Sequence, residues 1–386
     1  VRPATGRLAP PGLSVLLLLM LAACAAPRPA AGPQPRFATA DPAPIVRPAA
    51  LPDGFAADPA TLEAFRRACA RLVKRTDASG LTRPEDWALP CAEAIRVPDA
   101  DATGFFARHF RPVRLGTGDG LATGYYEPDV PAFPSPRPGA APVLRRPPEL
   151  VDIDLALFPG DRRGTIRGVV KGNRVVPAPD RAAIEAGAYA GRGLELAWAA
   201  DPIDLFFLQI QGSGSLVFPD GRRQRIGYAG QNGHPYVAIG RLMRERGLHP
   251  RPGMAEIRAH LAADREAGAA LMRENPSYVF FAPLDPGLDG PLGALGVPLL
   301  PLATVAADPE TLPLGTPVWL ETRVEGLPFR RLLIASDTGG AIRGANRFDI
   351  FFGPGDEAAR KAGSLAEPAQ ALILLPRAAA SRLPTP

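Results

Sequence analysis

Proline and glycine interrupt this chain so often, 47 and 40 times in 386 residues, that long regular helices have little room. Each proline removes a backbone donor, and each glycine carries an entropic cost inside a helix or strand. Short strands joined by many turns are the architecture this punctuation favours. Apolar residues make up 46% of the chain and charged residues 22%, enough to bury the core of one large domain or two ordinary ones. The net charge of +5 comes from 44 basic and 39 acidic residues scattered along the sequence. Without a basic block interleaved with aromatics, nucleic acid is not an expected partner.

Arg2 and Arg7 precede an apolar run from Leu13 to Ala23, too short to span a bilayer comfortably but suited to an export signal over residues 1–23. Leu21-Ala22-Ala23-Cys24 then reads as a lipobox with the Cys24 thiol as the lipid attachment site; the alternative is an ordinary cleavage site with an incidental cysteine. Residues 24–58, rich in proline and alanine, read as a tether. Cys69 and Cys91 then remain as a pair in an oxidising compartment, either bonded to each other or buried as free thiols. The four histidines, His109, His234, His249 and His260, are scattered, and no cysteine has a histidine at metal-site spacing. Neither a metal nor a cofactor is expected.

Thr61 to Arg75 places Leu62, Phe65, Cys69 and Leu72 on one helical face, and Pro84 ahead of Trp87 suits the first turn of a second helix. Residues 130–150 are broken by proline and read as a surface loop. β-Branched and aromatic runs over Ile166 to Val176 and Leu205 to Tyr228 are split by turn residues and read as hairpins, which puts Gln209, Gln211 and Ser213 at alternating positions of a strand. Tyr236 to Arg246 and Met254 to Glu274 read as helices, with Gly268 as a point where the second can split. Strand signals return at Val318 to Glu321, Arg331 to Ser336, Arg347 to Phe352 and Ala371 to Leu375.

The most unusual residues sit together between Asp337 and Gly353. Phe348, Ile350 and Phe352 share one strand face by its period of two, so Asp349 projects from the other beside Arg347 and Phe351. Aspartate is depleted in strands and costly to bury unpaired. That leaves two readings for Asp349: an acid whose pKa is raised by its surroundings, or an edge residue facing solvent or paired with Arg347. Asp337, before Thr338-Gly339-Gly340, and Asp308, before Pro309, read first as turn residues acting through their own side chains. A carboxylate at Asp337 close to Asp349 would also disfavour ionisation of Asp349. Glu127 and Glu274 are rival acids. A Ser213/His234 nucleophile pair is disfavoured, because Gln211-Gly212-Ser213-Gly214-Ser215 lacks the Gly-x-Ser-x-Gly elbow.

Five ordered stretches, Leu121–Pro128, Leu205–Gly214, Tyr228–Tyr236, Glu274–Phe281 and Asp337–Gly353, resemble the motifs of the membrane-bound lytic murein transglycosylase A family. The resemblance runs from about Cys69 to Leu375, and it implies a mainly β fold with peripheral helices. A six-stranded double-psi β-barrel would span residues 59–123 and 276–378 and carry the three aspartates. A second β-domain would be inserted at 124–275, and 379–386 would be a tail. The implied activity is that of a peptidoglycan lytic exotransglycosylase, a lyase that cuts between N-acetylmuramic acid and N-acetylglucosamine and leaves 1,6-anhydromuramoyl ends. By the same resemblance Asp349 matches the catalytic acid, with Asp337 and Asp308 as its companions. The spacing from Asp337 to Asp349 is one residue longer than the family's pattern, an excess the loop between them would absorb. Thr123, Tyr125, Tyr126, Gln209, Gln211 and Ser213 would line the glycan groove, the alternatives being core packing for the two tyrosines and a tight bend at Gly212-Ser213-Gly214. The implied partners are peptidoglycan strands, a membrane lipid anchor and murein synthases or scaffolds, for a monomer on the periplasmic side of the outer membrane. The competing reading is a non-catalytic peptidoglycan-binding lipoprotein on a related barrel.

Overall fold

Six of the short strands close on one another. The computed structural model describes residues 46–159 and 164–383; the expected signal segment and Cys24 lie outside the described residues. The chain starts with β1 (Val46–Pro48), passes through α1 (Pro59–Leu72), α2 (Ala88–Ala94) and α3 (Ala102–His109), and returns along β2 (Phe110–Leu115) and β3 (Asp119–Glu127). An excursion follows through β4 (Asp129–Phe133), β5 (Ala141–Leu144), β6 (Leu150–Asp154), β7 (Thr165–Lys171), β8 (Arg174–Val176), α4 (Arg181–Glu185) and β9 (Glu195–Ala199). It continues with α5 (Pro202–Gln211), β10 (Ser213–Val217), β11 (Arg223–Gln231), α6 (Ile239–Glu245), α7 (Met254–Ala263), α8 (Arg265–Arg273) and β12 (Val279–Pro283). The last stretch holds β13 (Thr304–Ala306), β14 (Pro317–Val324), β15 (Leu327–Asp337), β16 (Arg347–Pro354), α9 (Asp356–Ser364), β17 (Ala366–Pro376) and α10 (Arg377–Ala380).

The ring runs β17-β14-β15-β13-β16-β3 and closes because β3 also pairs with β17. Two of its pairings are parallel, β13 with β15 and β16 with β3. This is the expected mainly β class with a closed six-stranded barrel. Alternate residues fill the interior, among them Val305, Val318, Leu333, Phe348, Ile350 and Ile373. Outside the ring, α1 to α3 cover one side with Phe65, Phe105, Phe106 and Trp87, all buried; each such side chain contributes roughly 1.5–3 kcal/mol by leaving water. The excursion forms its own sheets, one ordered β12-β11-β10-β4-β9-β5 and one ordered β6-β7-β8.

Several expected boundaries move. Leu205 to Gln211 is helix, not strand: Asp201 accepts from the Ile203 amide, Pro202 opens the first turn, and Gly212 at φ +81 ends it. Ile203, Leu205, Phe206, Phe207 and Leu208 are all buried, so no polar stripe distinguishes this helix from a buried strand. The expected loop at 130–150 contains β4 and β5, and Pro131 is tolerated because pairing passes from β10 to β9 there. Because β3 runs unbroken to Glu127 and β12 pairs with β11, the chain leaves the barrel at Glu127 rather than 124 and leaves the inserted sheet at Pro283 rather than 276. The helix expected at 254–274 breaks at Asp264, whose side chain caps α8, and not at Gly268. Gly268 instead lets the two helices touch, since a Cβ there would lie 2.4 Å from the Leu261 carbonyl. The end of the tether is ordered as β1 against β2, and the start of the tail is pinned by an Arg382–Asp86 ion pair.

Cys69 on α1 and Cys91 on α2, 22 positions apart in sequence, are joined in a disulfide with Cα atoms 5.4 Å apart. Closing a loop of that size restricts the unfolded chain, so replacing both cysteines by alanine should lower unfolding free energy by about 3 kcal/mol in denaturant titrations. A loss below about 1 kcal/mol would mean that α1 and α2 are held by packing alone.

Candidate active site

Phe348 and Ile350 point into the barrel, which sends Asp349 to the other side of β16, where it is only partly buried. The parallel register sets Asp349 opposite Thr123 on β3, and on the other edge opposite Ala306 of β13. Thr123 Oγ1 donates to Asp349 Oδ1 at 2.6 Å. Arg347 does not form the ion pair considered for Asp349; its Nη1 donates to Thr123 Oγ1 at 2.9 Å and to the Phe348 carbonyl at 2.6 Å. Burial raises the Asp349 pKa, opposed by the Thr123 hydrogen bond and by the Arg347 charge. Burial, not the neighbouring Asp337 carboxylate, is thus the leading cause.

Asp337 ends β15. Its Oδ1 accepts from the Ala294 and Thr338 amides at 2.8 and 2.9 Å, and its Oδ2 accepts from the Tyr125 hydroxyl at 2.9 Å. Burial pushes its pKa up to about 6 against these three bonds, and the charge of Asp349 adds to the rise. Tyr125 is itself buried, its ring 5.1 Å from that of Phe351. Asp308 keeps its turn role and adds a long-range one: Oδ2 accepts from the Gly344 amide at 2.7 Å, tying the 337–347 loop to the end of β13.

The remaining expected residues divide. Thr123 and Tyr125 share the face that meets the two acids, whereas Tyr126 alternates to the opposite face and packs in the barrel core, its hydroxyl 3.9 Å from Met254 Sδ. Gln211 accepts from the Tyr126 amide at 2.9 Å, and Gln209 donates to the Val279 carbonyl at 3.4 Å while its own Oε1 is buried without a partner. Both sit on α5 and bond to backbone, so the expected alternation with Ser213 on one strand does not occur; Ser213 opens β10 and is buried. Glu127 is buried and held by the partly exposed Arg225, Glu274 pairs with Arg246 at the surface, and His234 Nε2 lies 2.8 Å from the Ala178 carbonyl. Those contacts occupy the rival acids and leave no Ser213/His234 dyad.

Tyr236 was missed as a single residue, although it closes the Tyr228–Tyr236 motif. Burial pushes its hydroxyl up to about 12, with the charge of Arg181 opposing and that of Asp349 adding. The charges of a cation of the inserted domain and of the barrel's acid thus both reach it. The loop after β15 runs beside it: a Cβ on Gly340 would meet Tyr236 Cβ at an ordinary contact distance of 3.6 Å.

A closed barrel with a partly buried acidic cluster on one side, hosting an inserted β-domain, is the class that fold and site define. A family model described as the MltA specific insert domain matches residues 121–282, and one described as the 3D domain matches residues 303–375. Membrane-bound lytic murein transglycosylase A of Vibrio cholerae is 37% identical over 266 residues, 65% of this chain and 65% of that one. The Escherichia coli protein of the same name is 35% identical over 255 residues, 62% of this chain and 61% of that one. The match spans less than two thirds of the length of either relative. A membrane-bound lytic murein transglycosylase from Agrobacterium tumefaciens aligns in structure with a TM-score of 0.80 at 34% identity, over 88% of this chain and 100% of that one. E. coli MltA with bound chitohexaose aligns with a TM-score of 0.63 at 27% identity, over 86% and 94%. The chain belongs to the membrane-bound lytic murein transglycosylase A family.

Asp337 provides a test of the electrostatics. Its folded pKa, about 6, lies above its ordinary value of 3.8, so the stability it contributes is present below about 3.8 and is lost as pH rises to about 6. In urea unfolding, the stability of the native chain relative to Asp337→Asn should therefore fall between pH 4 and about 6 and level off above that. A difference that stays constant across that range would mean the Asp337 carboxyl titrates normally.

Proposed function

We propose that the protein is a peptidoglycan lytic transglycosylase in which Asp349 is the single catalytic acid. Asp349 in its protonated form gives its proton to the oxygen linking N-acetylmuramic acid to N-acetylglucosamine. As the bond from C1 to that oxygen breaks, the exocyclic C6 hydroxyl of the same muramic acid residue attacks C1 and returns its proton to Asp349, leaving a 1,6-anhydro end. Hydrolytic glycosidases need a second carboxylate to activate water or attack carbon. An intramolecular hydroxyl removes that need, because its effective concentration replaces the second group.

The observation that carries this reading is how the three aspartates are engaged. Asp337 accepts three hydrogen bonds and Asp308 is used in closing a loop, while Asp349 is anchored through Oδ1 and has a raised pKa that favours its acid form. Supporting it, the relatives are murein transglycosylases by name, and the E. coli structure holds chitohexaose, a glycan. The strand would lie over Asp349 between barrel and insert, against Tyr236, with Tyr125 behind. Among the described residues no helix is long and apolar enough to cross a membrane. A lipidated Cys24 would hold the enzyme to the outer membrane on its periplasmic side, where cell wall turnover and recycling would be its work and murein synthases or scaffolds its neighbours.

Asp349→Asn should lower turnover on purified murein by about 10² to 10⁴ while leaving the melting curve unchanged. Wild-type turnover should decline as pH rises through the raised pKa of Asp349, because only the protonated form can donate. Substantial turnover in a folded Asn variant would remove Asp349 from this role, and murein left uncut by the native chain would favour a binding protein.

A further inference from the structure

Arg347 carries a charge beside Asp349 and takes no part in the reaction above, yet its contacts fix the direction of a proton. Residues 347 and 349 share one face of β16, and Thr123 lies opposite Asp349 on β3, so both side chains reach the same hydroxyl. A threonine hydroxyl has one hydrogen and two acceptor lone pairs, whereas a guanidinium is donor only. With Arg347 Nη1 donating to Thr123 Oγ1 at 2.9 Å, the hydroxyl hydrogen has no acceptor on that side and points along the 2.6 Å contact to Asp349 Oδ1. Oδ1 is therefore the carboxyl oxygen engaged as an acceptor by this pair. The Arg347 side chain is held in place by its second bond, 2.6 Å to the Phe348 carbonyl.

We propose that Arg347 is a positioning residue that acts through the Thr123 hydroxyl to reserve Oδ1 of Asp349 as an acceptor, so that the transferable proton sits on Oδ2. The inference rests on Asp349 being the acid, as proposed above. An unanchored carboxyl can carry its proton on either oxygen and turn either one toward the substrate; here the choice is made before the glycan arrives. The groups facing Asp349 are Arg347 on its own strand, Thr123 and the Tyr125 hydroxyl on β3, Asp337 at the end of β15, and Tyr236 of the insert; β13 places Ala306 opposite it. Of these, Arg347 and Thr123 favour the ionised form, so the relay also helps the carboxyl release its proton in the first half of the reaction.

The test uses the full chain with Thr123→Val, Thr123→Ser, Arg347→Met and the double variant Thr123→Val/Arg347→Met, each checked for an unchanged melting curve. A hydrogen bond to an ionisable group is worth enough to move kcat about tenfold. Thr123→Val and Arg347→Met should each lower kcat by about that factor with KM little changed, and should move the alkaline limb of the kcat profile to higher pH. Thr123→Ser should restore both values. Because one residue works through the other, the double variant should be at most about twofold slower than the slower single variant. Losses that multiply, or a Thr123→Val variant with native kcat and an unmoved limb, would overturn the relay. If Arg347→Met does not fold, carboxyl-carbon NMR titration of Asp349 decides: its midpoint should rise in Thr123→Val and not in Thr123→Ser, and equal midpoints would overturn the proposal. Asp349→Asn is run alongside. Retained turnover there would sink the acid assignment, whereas a dead Asp349→Asn beside a native-like Thr123→Val would sink only the relay.

Discussion

The parallel pairing of β3 with β16 is the constraint on which the rest depends. It closes the six-stranded ring, and its register puts Thr123 against Asp349. The same two strands are clamped from the other side by α9, at a point that admits no side chain. A Cβ on Gly124 would come within 2.6 Å of the Phe352 ring and 2.7 Å of the Ala362 backbone. A slip of one residue in this pairing would exchange the two faces of β3, burying Thr123 in the core and exposing Tyr126. The geometry of the acid is thus fixed by strand packing rather than by a loop.

Around that pairing, burial and hydrogen bonding pull the carboxyl groups in opposite directions. Desolvation disfavours the charged form of Asp349 and Asp337 alike, and the donors aimed at each recover part of the loss. Asp337 receives two amides and a tyrosine hydroxyl, Asp349 a single threonine hydroxyl backed by Arg347. The acid thought to react is the one with fewer fixed partners, which is what a group that gives up and retakes a proton requires. Asp308, which pins the loop between the other two, works through the backbone instead.

How much of this was legible depended on distance along the chain. The outward direction of Asp349 could be read from Phe348 and Ile350, because strand alternation is local. The bond from Thr123 could not: the two residues are 226 positions apart, and only the register of a closed barrel brings them together. The same holds for Tyr125 with Asp337 and for the Asp308 bond to Gly344. Around α5 the failure had another cause. The run Leu205–Leu208 is apolar throughout because it is buried on nearly every side, and period analysis has nothing to measure in so short a segment. Its Asp201-Pro202 start and Gly212 stop were the signals that mattered, and they outweigh the β-like composition between them. Tyr126, taken with Tyr125 as one unit, shows the converse error: adjacent residues of a strand face opposite ways.

The central claim is that the bond breaks without water, by attack from inside the sugar. Digesting murein with the native chain in water enriched in heavy oxygen, and weighing the new ends by mass spectrometry, tests it most directly. The account predicts anhydro ends at natural isotopic mass. Reducing ends that have taken up heavy oxygen would mean that water is the nucleophile, and a lone acid at Asp349 would no longer suffice.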